Sequence, residues 1–365
     1  MPKQVLVTRS SMPPLKEYLS EINSLWESHW LTNSGVKHQQ LETQLKEYLN
    51  CDNLALFCNG HSALECIIEA MDLKGEVITT PFTFASTTHA IVRKGLTPVF
   101  ADIKKDNYTI DPDSIEKLIS PSTCAILAVH VYGNLCDVDR IQKIANKYNL
   151  KVIYDGAHAF GVEHHGTSVA NFGDATMFSF HATKVFNTIE GGAACFRDSR
   201  LCKKANQLKN FGITENQDVK YVGGNFKMNE FCAAMGICNL RHIDEEIQKR
   251  KEITKEYYKR LYNYPGIKLI EPIPETVHNY AYMPVLFEDS FSISRDEAYT
   301  RLIENNIFAR KYFYPLISDF ECYSDLFASG DTPVAKYVAD RVLTLPLYAD
   351  LSIKEVERIC NLILA

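Results

Sequence analysis

The stretch Phe178-Ser-Phe-His-Ala-Thr-Lys184 decides the fold when it is read together with Tyr154-Asp-Gly-Ala-His158. In each case a short apolar strand runs into a turn that carries ionisable or hydroxyl groups. In an open α/β sheet, ligands bind in the crevice outside the ends of such strands. The two stretches therefore predict a ligand site at one edge of a sheet.

Lys184 follows the strand that we predict over residues 175–180, and Asp155 ends the strand predicted over 151–154. A lysine that can form a Schiff base, opposed by a carboxylate that can hold a pyridinium nitrogen, is the minimum equipment for pyridoxal phosphate chemistry. The alternative is that both residues are solvated polar groups that end strands.

Working outward, strands alternate with helices through the first two-thirds of the chain. This alternation is typical of a mostly parallel sheet with helices on both faces. Residues 191–196 add one further strand, for which an antiparallel direction is open. The other predicted strands cover 54–57, 76–80, 97–100 and 125–131, and the predicted helices 62–71, 86–94, 113–118 and 138–148.

A long helical pattern from residue 229 to about 262 is apolar at first and then strongly charged. Because its polarity changes midway, we interpret it as a connector. It would join an N-terminal arm and large α/β domain, residues 1–245, to a smaller C-terminal α+β domain, residues 246–365. In the latter, Ser352 and Glu355 form the pattern of a capping box for the last helix.

Composition excludes several classes of function. A net charge of -6 over 365 residues does not indicate a surface that binds nucleic acid or an anionic membrane. No apolar run reaches the ~18 residues needed to span a bilayer. The first ten residues lack a signal peptide's apolar core, so we expect a cytoplasmic protein. The eleven cysteines form no Cys-x-x-Cys pair, and His164-His165-Gly166 has a hairpin pattern, so no metal site is predicted.

Three further motifs have both a functional and a structural interpretation. Asn59-Gly-His-Ser62 follows a strand and opens a helix, and could bind phosphate or be only a turn. Phe84 could stack on a flat ring or pack in the core. His158 could contact a ring hydroxyl or cap a loop.

The order of these motifs along the chain resembles the DegT/StrS family of nucleotide-sugar aminotransferases. Asn-Gly-x-Ser, Pro-Phe-Thr-Phe, Asp-x-Ala-His, Ser-Phe-His-x-x-Lys and Gly-Asn-Phe-Lys-Met occur in sequence from residue 59 to residue 228. The resemblance implies a fold-type I pyridoxal phosphate enzyme of the aspartate aminotransferase class, with a large, mostly parallel sheet domain and a smaller C-terminal domain.

By resemblance, Lys184 is the lysine that forms the Schiff base with pyridoxal 5'-phosphate and later acts as general base. Asp155 pairs with the pyridinium nitrogen. Phe84 takes the stacking position, and His158 the position that contacts the ring oxygen.

The resemblance also assigns the phosphate site. Gly60 and His61 would supply backbone N–H groups and Ser179 its hydroxyl, while Asn225 would reach the phosphate from the neighbouring subunit of a homodimer with shared active sites. One departure is that the family usually has Thr or Ser where His61 stands. Its imidazole or Ser62 could replace that hydroxyl.

For the reaction, the resemblance implies L-glutamate as donor and a dTDP-linked ketosugar as acceptor. The motifs near the coenzyme look most like the viosamine-type enzymes, which convert dTDP-4-keto-6-deoxy-D-glucose to dTDP-4-amino-4,6-dideoxy-D-glucose for surface polysaccharide (O-antigen) synthesis. Among candidate substrate contacts, Arg310, Tyr312 and Tyr314 fall where the family often holds substrate, or form a partly exposed strand. His181 would orient substrate or support its loop.

Three alternatives remain open. The first is a 3-aminotransferase of the same family acting on a dTDP-3-keto-6-deoxyhexose. The second is a sugar dehydratase, in which His replaces the lysine, and Lys184 argues against it. The third is a non-catalytic regulator on the same scaffold, which would lose groups such as Lys184 and Asp155, both present here.

Overall fold

A computed structural model describes residues 4–323 and 331–365. In chain order its helices and strands up to residue 261 are β1 (Val5–Leu6), α1 (Leu15–Ser28), α2 (Val36–Tyr48), β2 (Leu54–Phe57), α3 (Gly60–Ala70), β3 (Glu76–Thr79), α4 (Ala85–Arg93), β4 (Thr97–Phe100), α5 (Pro112–Leu118), β5 (Thr123–Val129), α6 (Val138–Tyr148), β6 (Lys151–Asp155), β7 (Glu163–His164), β8 (Thr167–Ser168), β9 (Ala175–Ser179), β10 (Gly192–Phe196), α7 (Ser199–Leu208) and α8 (Glu230–Leu261). The elements that follow are β11 (Ile267–Lys268), β12 (Thr276–Val277), β13 (Met283–Phe287), α9 (Arg295–Glu304), β14 (Ile307–Phe308), α10 (Pro333–Arg341), β15 (Val342–Leu345) and α11 (Ile353–Leu364).

The central sheet has seven strands in the order β2-β10-β9-β6-β5-β3-β4. Neighbours from β9 to β4 run parallel, whereas β10 is antiparallel to both β9 and β2. This confirms the predicted mostly parallel sheet and settles the direction of the strand at residues 191–196. The carboxyl ends of β6 and β9 lie side by side, which places Asp155 beside the loop that carries Lys184.

Local sequence signals explain where several helices begin. Asp111 and Asp137 cap α5 and α6 by accepting hydrogen bonds from the N–H groups of Asp113 and Arg140. At α11 the Ser352 side chain accepts from the Glu355 N–H, which is the serine half of the predicted box. A complete capping box occurs instead at α9.

The smaller C-terminal region contains the antiparallel sheet β11-β13-β15. The hydrophobic core of this region also includes Val5 of β1, because β1 pairs in parallel with β14. Helix α8 joins two cores, because Ala233 and Ile237 pack with the large sheet while Ile253 and Tyr257 pack with the small one. The proposed boundary at residue 245 therefore falls inside a continuous helix.

The sequence pattern missed helices α7 and α10 but located the hairpin at His165 and Gly166. Both residues have positive φ angles and connect β7 to β8. Strand β12 adds to this hairpin from the C-terminal part of the chain. Within residues 4–323 and 331–365, no helix combines the length and the apolar character needed to cross a bilayer.

Stability is expected to fall on mild acidification because of His38 in α2. This side chain is 2% exposed, and neither ring nitrogen has a hydrogen-bond partner within the described ranges. Burial, reinforced by the charge of Lys209, lowers its pKa from 6.5 to about 3. Below about pH 6.5, His38 therefore binds a proton in the unfolded chain but stays neutral in the folded chain. This difference alone lowers the free energy of unfolding by about 1 kcal/mol between about pH 7 and about pH 5.5.

Urea unfolding of the wild type and of His38→Leu at the two pH values measures this contribution. The variant should lose about 1 kcal/mol less than the wild type over the same interval. Equal losses in the two proteins would show that His38 is not buried in its neutral form.

Candidate active site

Asp155 is a buried carboxylate at the end of β6, with 4% of its surface exposed. The Thr87 hydroxyl donates a hydrogen bond to its Oδ2 at 2.8 Å, and the Ala157 N–H donates to its Oδ1 at 3.1 Å. Thr87, in the first turns of α4, is itself hydrogen-bonded to the Thr83 hydroxyl at 2.8 Å. The carboxylate is therefore fixed between β6 and α4.

Burial raises the pKa of Asp155, and the hydrogen bonds from Thr87 and Ala157 and the positive charge of Lys184 only partly oppose this. A buried carboxylate gains most from a cation placed directly against it. The site is thus built to hold a protonated nitrogen.

His158 lies three residues after Asp155 and is also buried. The Tyr132 N–H donates to its Nδ1 at 3.0 Å, so Nδ1 is an acceptor and the ring proton is on Nε2. Burial, together with the charge of Lys184, lowers the pKa of His158 well below its usual value. His158 is therefore a neutral hydrogen-bond donor through Nε2.

Lys184 lies in the loop after β9, where its N–H donates to the His181 carbonyl at 2.9 Å. Its Nζ is 5.9 Å from the centre of the Tyr282 ring, and that ring is 4.5 Å from the ring of His158. Lys184, Tyr282, His158 and Asn279 line one small cavity. The structure thus brings together the lysine and the histidine, and Asp155 lies beside them at the end of β6, where it pairs with Met177 of β9.

The start of α3 forms a close-fitting turn beside β9. Asn59 caps the helix, accepting from the Ser62 N–H with its side chain at 2.8 Å, which leaves the N–H groups of Gly60 and His61 at the open helix end. A Cβ on Gly60 would lie 2.9 Å from the Ser179 Cβ, so only glycine fits there. The predicted phosphate residues Gly60, His61 and Ser179 are therefore neighbours.

Phe84 is the N-cap residue of α4 and is 55% exposed, so it is not a core residue. Its ring centre is 6.4 Å from that of Tyr312. Tyr312 is buried, and its ring centre lies 6.1 Å from that of His158, which connects the C-terminal part of the chain to the Phe84 side of the site.

The other predicted contacts lie at varying positions around this group. The Arg310 guanidinium lies 5.2 Å from the centre of the Tyr312 ring, whereas Tyr314 packs against the guanidinium of Arg295 at 4.8 Å. His181 is exposed; its Nδ1 is hydrogen-bonded to the Thr183 hydroxyl and its Nε2 is 3.6 Å from Glu190. The roles of these residues in binding substrate stay predictions.

Asn225 is exposed on the long segment that precedes α8. The neighbouring Phe226 carbonyl accepts a hydrogen bond from the Cys58 N–H at 2.7 Å, so this segment passes beside the turn before α3 of its own chain. A role for Asn225 in a second subunit stays a prediction.

These residues fit pyridoxal phosphate. The set contains a lysine amine, a buried carboxylate that gains from a cation, a neutral histidine donor, an exposed aromatic ring and two open helix N–H groups beside a glycine-only turn. An anion suits the helix end and a protonated ring nitrogen suits Asp155.

Sequence reasoning missed three residues that shape the site. Thr87 stands three residues after Phe84, and its place at a helix start was a usable signal. Tyr282 and Asn279 had no local sequence signal, because their contacts are with distant parts of the chain. The side-chain amide of Asn279 donates to the carbonyls of His158 at 2.8 Å and Phe160 at 2.9 Å, about 120 residues away in sequence.

Replacing Asn279 with Leu is expected to lower the free energy of unfolding by about 2 to 4 kcal/mol. The side chain is 1% exposed, and its loss leaves two buried carbonyls without donors. Asn171→Leu is the matched control, since the exposed Asn171 amide donates to the Asn50 carbonyl at 2.9 Å. Urea unfolding should show a change within about 0.5 kcal/mol for the control. A similarly small change in Asn279→Leu would contradict the assignment.

The sequence model of the DegT/DnrJ/EryC1/StrS aminotransferase family matches residues 15–364. The chain is 44% identical over 363 residues to the dTDP-4-amino-4,6-dideoxy-D-glucose transaminase of Shigella dysenteriae, covering 100% of this chain and 99% of the relative. It is also 44% identical to the transaminase of the same name from Escherichia coli, covering 99% and 98%.

Two solved structures superpose over nearly the whole chain. DesI, crystallised in the presence of its TDP-sugar product, matches with a TM-score of 0.95 and 31% identity, covering 99% of this chain and 92% of DesI. PseC of Helicobacter pylori, an aminotransferase involved in pseudaminic acid biosynthesis, matches with a TM-score of 0.93 and 29% identity, covering 99% and 98%.

Proposed function

The chain belongs to the DegT/DnrJ/EryC1/StrS aminotransferase family, and we propose that it transfers the amino group of L-glutamate to carbon 4 of dTDP-4-keto-6-deoxy-D-glucose. The product would be dTDP-4-amino-4,6-dideoxy-D-glucose. The observation that carries this proposal is the 44% identity, over the full chain, to transaminases named for that sugar.

The cofactor in this proposal is pyridoxal 5'-phosphate. When bound, it supplies an aldehyde that condenses with amines and a protonated ring that accepts electrons from the substrate carbon. Gly60, His61 and Ser179 would hold the phosphate, and Phe84 would cover one face of the ring. The support is the grouping of these residues around the start of α3 and α4.

Three side chains would then handle protons. Asp155 keeps a proton on the ring nitrogen, because a carboxylate buried this deeply favours a cation beside it. His158 would donate a hydrogen bond from its Nε2–H to the ring oxygen while it keeps that proton and stays neutral. Lys184 Nζ takes the proton from the substrate carbon that carries the nitrogen and returns it to the accepting carbon.

Arg310 offers a cation for the glutamate carboxylate. Its guanidinium is exposed and lies against Tyr312, whose ring reaches both Phe84 and His158. An arginine fork suits a planar carboxylate. Tyr312 and Tyr314 of the small domain and His181 of the lysine loop would contact the sugar.

A homodimer would complete the site. The segment before α8 exposes apolar side chains, with Val222 97% exposed and Val219 70% exposed, close in sequence to Asn225. Apolar side chains as exposed as these would gain from burial against a partner. We place Asn225 at the phosphate of the second subunit on this basis.

Steady-state rates with L-glutamate and two ketosugars test the substrate. The 4-keto sugar should give a kcat/KM at least about 100-fold above that of its 3-keto isomer, because a site built to bond a hydroxyl at one carbon discriminates strongly against its absence. A higher kcat/KM for the 3-keto isomer would assign a 3-aminotransferase, and no turnover of either sugar with coenzyme bound would assign a regulator.

A further inference from the structure

His61, the residue at which the chain departs from its family, makes two side-chain contacts at the start of α3. Its Nδ1 is hydrogen-bonded to the Ser86 hydroxyl at 2.8 Å, and its Nε2 is 3.2 Å from the Glu65 carboxylate. Both ring nitrogens are therefore engaged by protein groups, and the imidazole has no N–H left to offer a phosphate.

Glu65 makes this arrangement stable. Its side chain is almost fully buried, and it also accepts a hydrogen bond from Arg93 Nε at 2.5 Å. The hydrogen bond from His61, and then that from Arg93, lower the pKa of Glu65 to about 2 against the opposing effect of burial. A buried ionised carboxylate holds its donors firmly because losing one leaves the charge unpaired.

The four residues connect two helices, and we name them the α3–α4 brace. His61 and Glu65 are one turn apart on α3, while Ser86 and Arg93 lie at the two ends of α4. The brace joins the open N–H groups at the start of α3 to the turn that carries Phe84, two residues before Ser86. Along the backbone, the start of α3 and the turn at Phe84 are connected only through the chain from residue 61 to residue 84.

We propose that His61 is a positioning residue, which acts through Ser86 and Glu65 to hold the phosphate-binding end of α3 in register with Phe84. The hydroxyl that the family usually has at this position is thus replaced by a cross-link between helices, and only the N–H of His61 faces the phosphate. The inference rests on the proposed coenzyme and is independent of which sugar is the acceptor.

The brace would strengthen coenzyme binding by pre-organising the site. A flat ring with a phosphate arm gains most affinity when the phosphate-binding N–H groups and the aromatic face are already spaced for it. A threonine at position 61 lacks the second ring nitrogen, with which His61 contacts Ser86 on the other helix and Glu65 on its own helix at the same time. Loss of the brace should therefore weaken binding of the whole coenzyme and change the orientation of its ring.

A double-mutant cycle on full-length protein stripped of coenzyme tests the proposal. We expect His61→Ala and Ser86→Ala each to raise the Kd for pyridoxal phosphate about 10-fold and to alter the circular dichroism of the bound coenzyme, with the double variant no worse than either single one. The wild-type titration comes first, so absence of any binding there counts against the proposed cofactor and not against the brace.

His164→Ala is the matched control, since the His164 Nδ1 is hydrogen-bonded to the Thr276 hydroxyl at 2.8 Å outside the site. Its Kd should equal that of the wild type. An increase in Kd for His61→Ala with none for Ser86→Ala would show direct contact of the imidazole with the phosphate and overturn the proposal. Fully additive effects, or no effect of either change, would overturn it too.

Discussion

Lys184→Ala should reduce amino transfer at least about 10,000-fold, because the variant has lost both the amine that binds the coenzyme covalently and the base that moves the proton. Within the described ranges, Lys184 is the lysine whose amine lines the cavity with His158 and whose charge acts on Asp155. Reduction of the wild type with borohydride should fix the pyridoxyl group on the peptide that contains residue 184. A steady-state assay of amino transfer measures the first result, and mass spectrometry of the digested protein locates the pyridoxyl group.

Lys147→Ala is the control, since this lysine of α6 forms an exposed ion pair with Glu116 at 2.7 Å. It should keep wild-type activity and the pyridoxyl label at residue 184. A label that persists on the Lys184→Ala protein at another lysine, with activity retained, would contradict the assignment of Lys184.

Asp155→Asn should lower kcat/KM about 100- to 1,000-fold while the coenzyme stays bound. The amide keeps the shape and can still accept a hydrogen bond from Thr87, but it carries no charge to hold a proton on the ring nitrogen. The loss should appear mainly in kcat, because the ring accepts electrons in the transition state and not in the ground state. Stopped-flow absorbance with L-glutamate alone measures it without the sugar.

Asp174→Asn is matched to this change. Asp174 precedes β9 at the other end of the sheet, and its carboxylate accepts hydrogen bonds from the Val152 N–H at 2.9 Å and from Lys151 at 3.0 Å. The Asp174→Asn substitution should change kcat by less than about twofold, because no part of the Asp174 side chain reaches the site. If Asp155→Asn behaves like Asp174→Asn, the ring nitrogen does not depend on residue 155.

The residues that sequence predicted well are those whose place follows from local pattern. Asp155 and Lys184 come directly after apolar strands, and parallel strands bring their carboxyl ends together, so the pattern alone places them on one edge. Asn59 and Gly60 follow the same logic at a helix start. The DegT/StrS resemblance then attached roles to positions that the strands had already located.

The residues that sequence missed depend on contacts between distant parts of the chain. Asn279 supports the His158 turn from the C-terminal part of the chain, and the Tyr282 ring of the same segment lies 5.9 Å from Lys184 Nζ. Nothing in the residues next to them signals this. Phe84 illustrates the converse case, because an apolar residue near a strand usually packs in the core, and only its 55% exposure separates the two interpretations.

His61 stands between these two cases. The resemblance to the family marked position 61 as a departure from its usual pattern, and the helix start showed that the His61 N–H is available. That its imidazole is engaged by Ser86 and Glu65 follows only from the packing of α3 on α4. A departure from a family pattern thus marks where to look, and the contacts determine what the new residue does.

The account is tested most directly by following the nitrogen itself. The purified protein, loaded with pyridoxal phosphate, is incubated with L-glutamate labelled at its amino group with nitrogen-15 and with dTDP-4-keto-6-deoxy-D-glucose, and the product is examined by NMR. We expect labelled nitrogen on carbon 4 of the sugar, with the configuration of dTDP-4-amino-4,6-dideoxy-D-glucose. A sugar that acquires no labelled nitrogen, or one that acquires it only when the 3-keto isomer is supplied in place of the 4-keto sugar, would contradict the proposal.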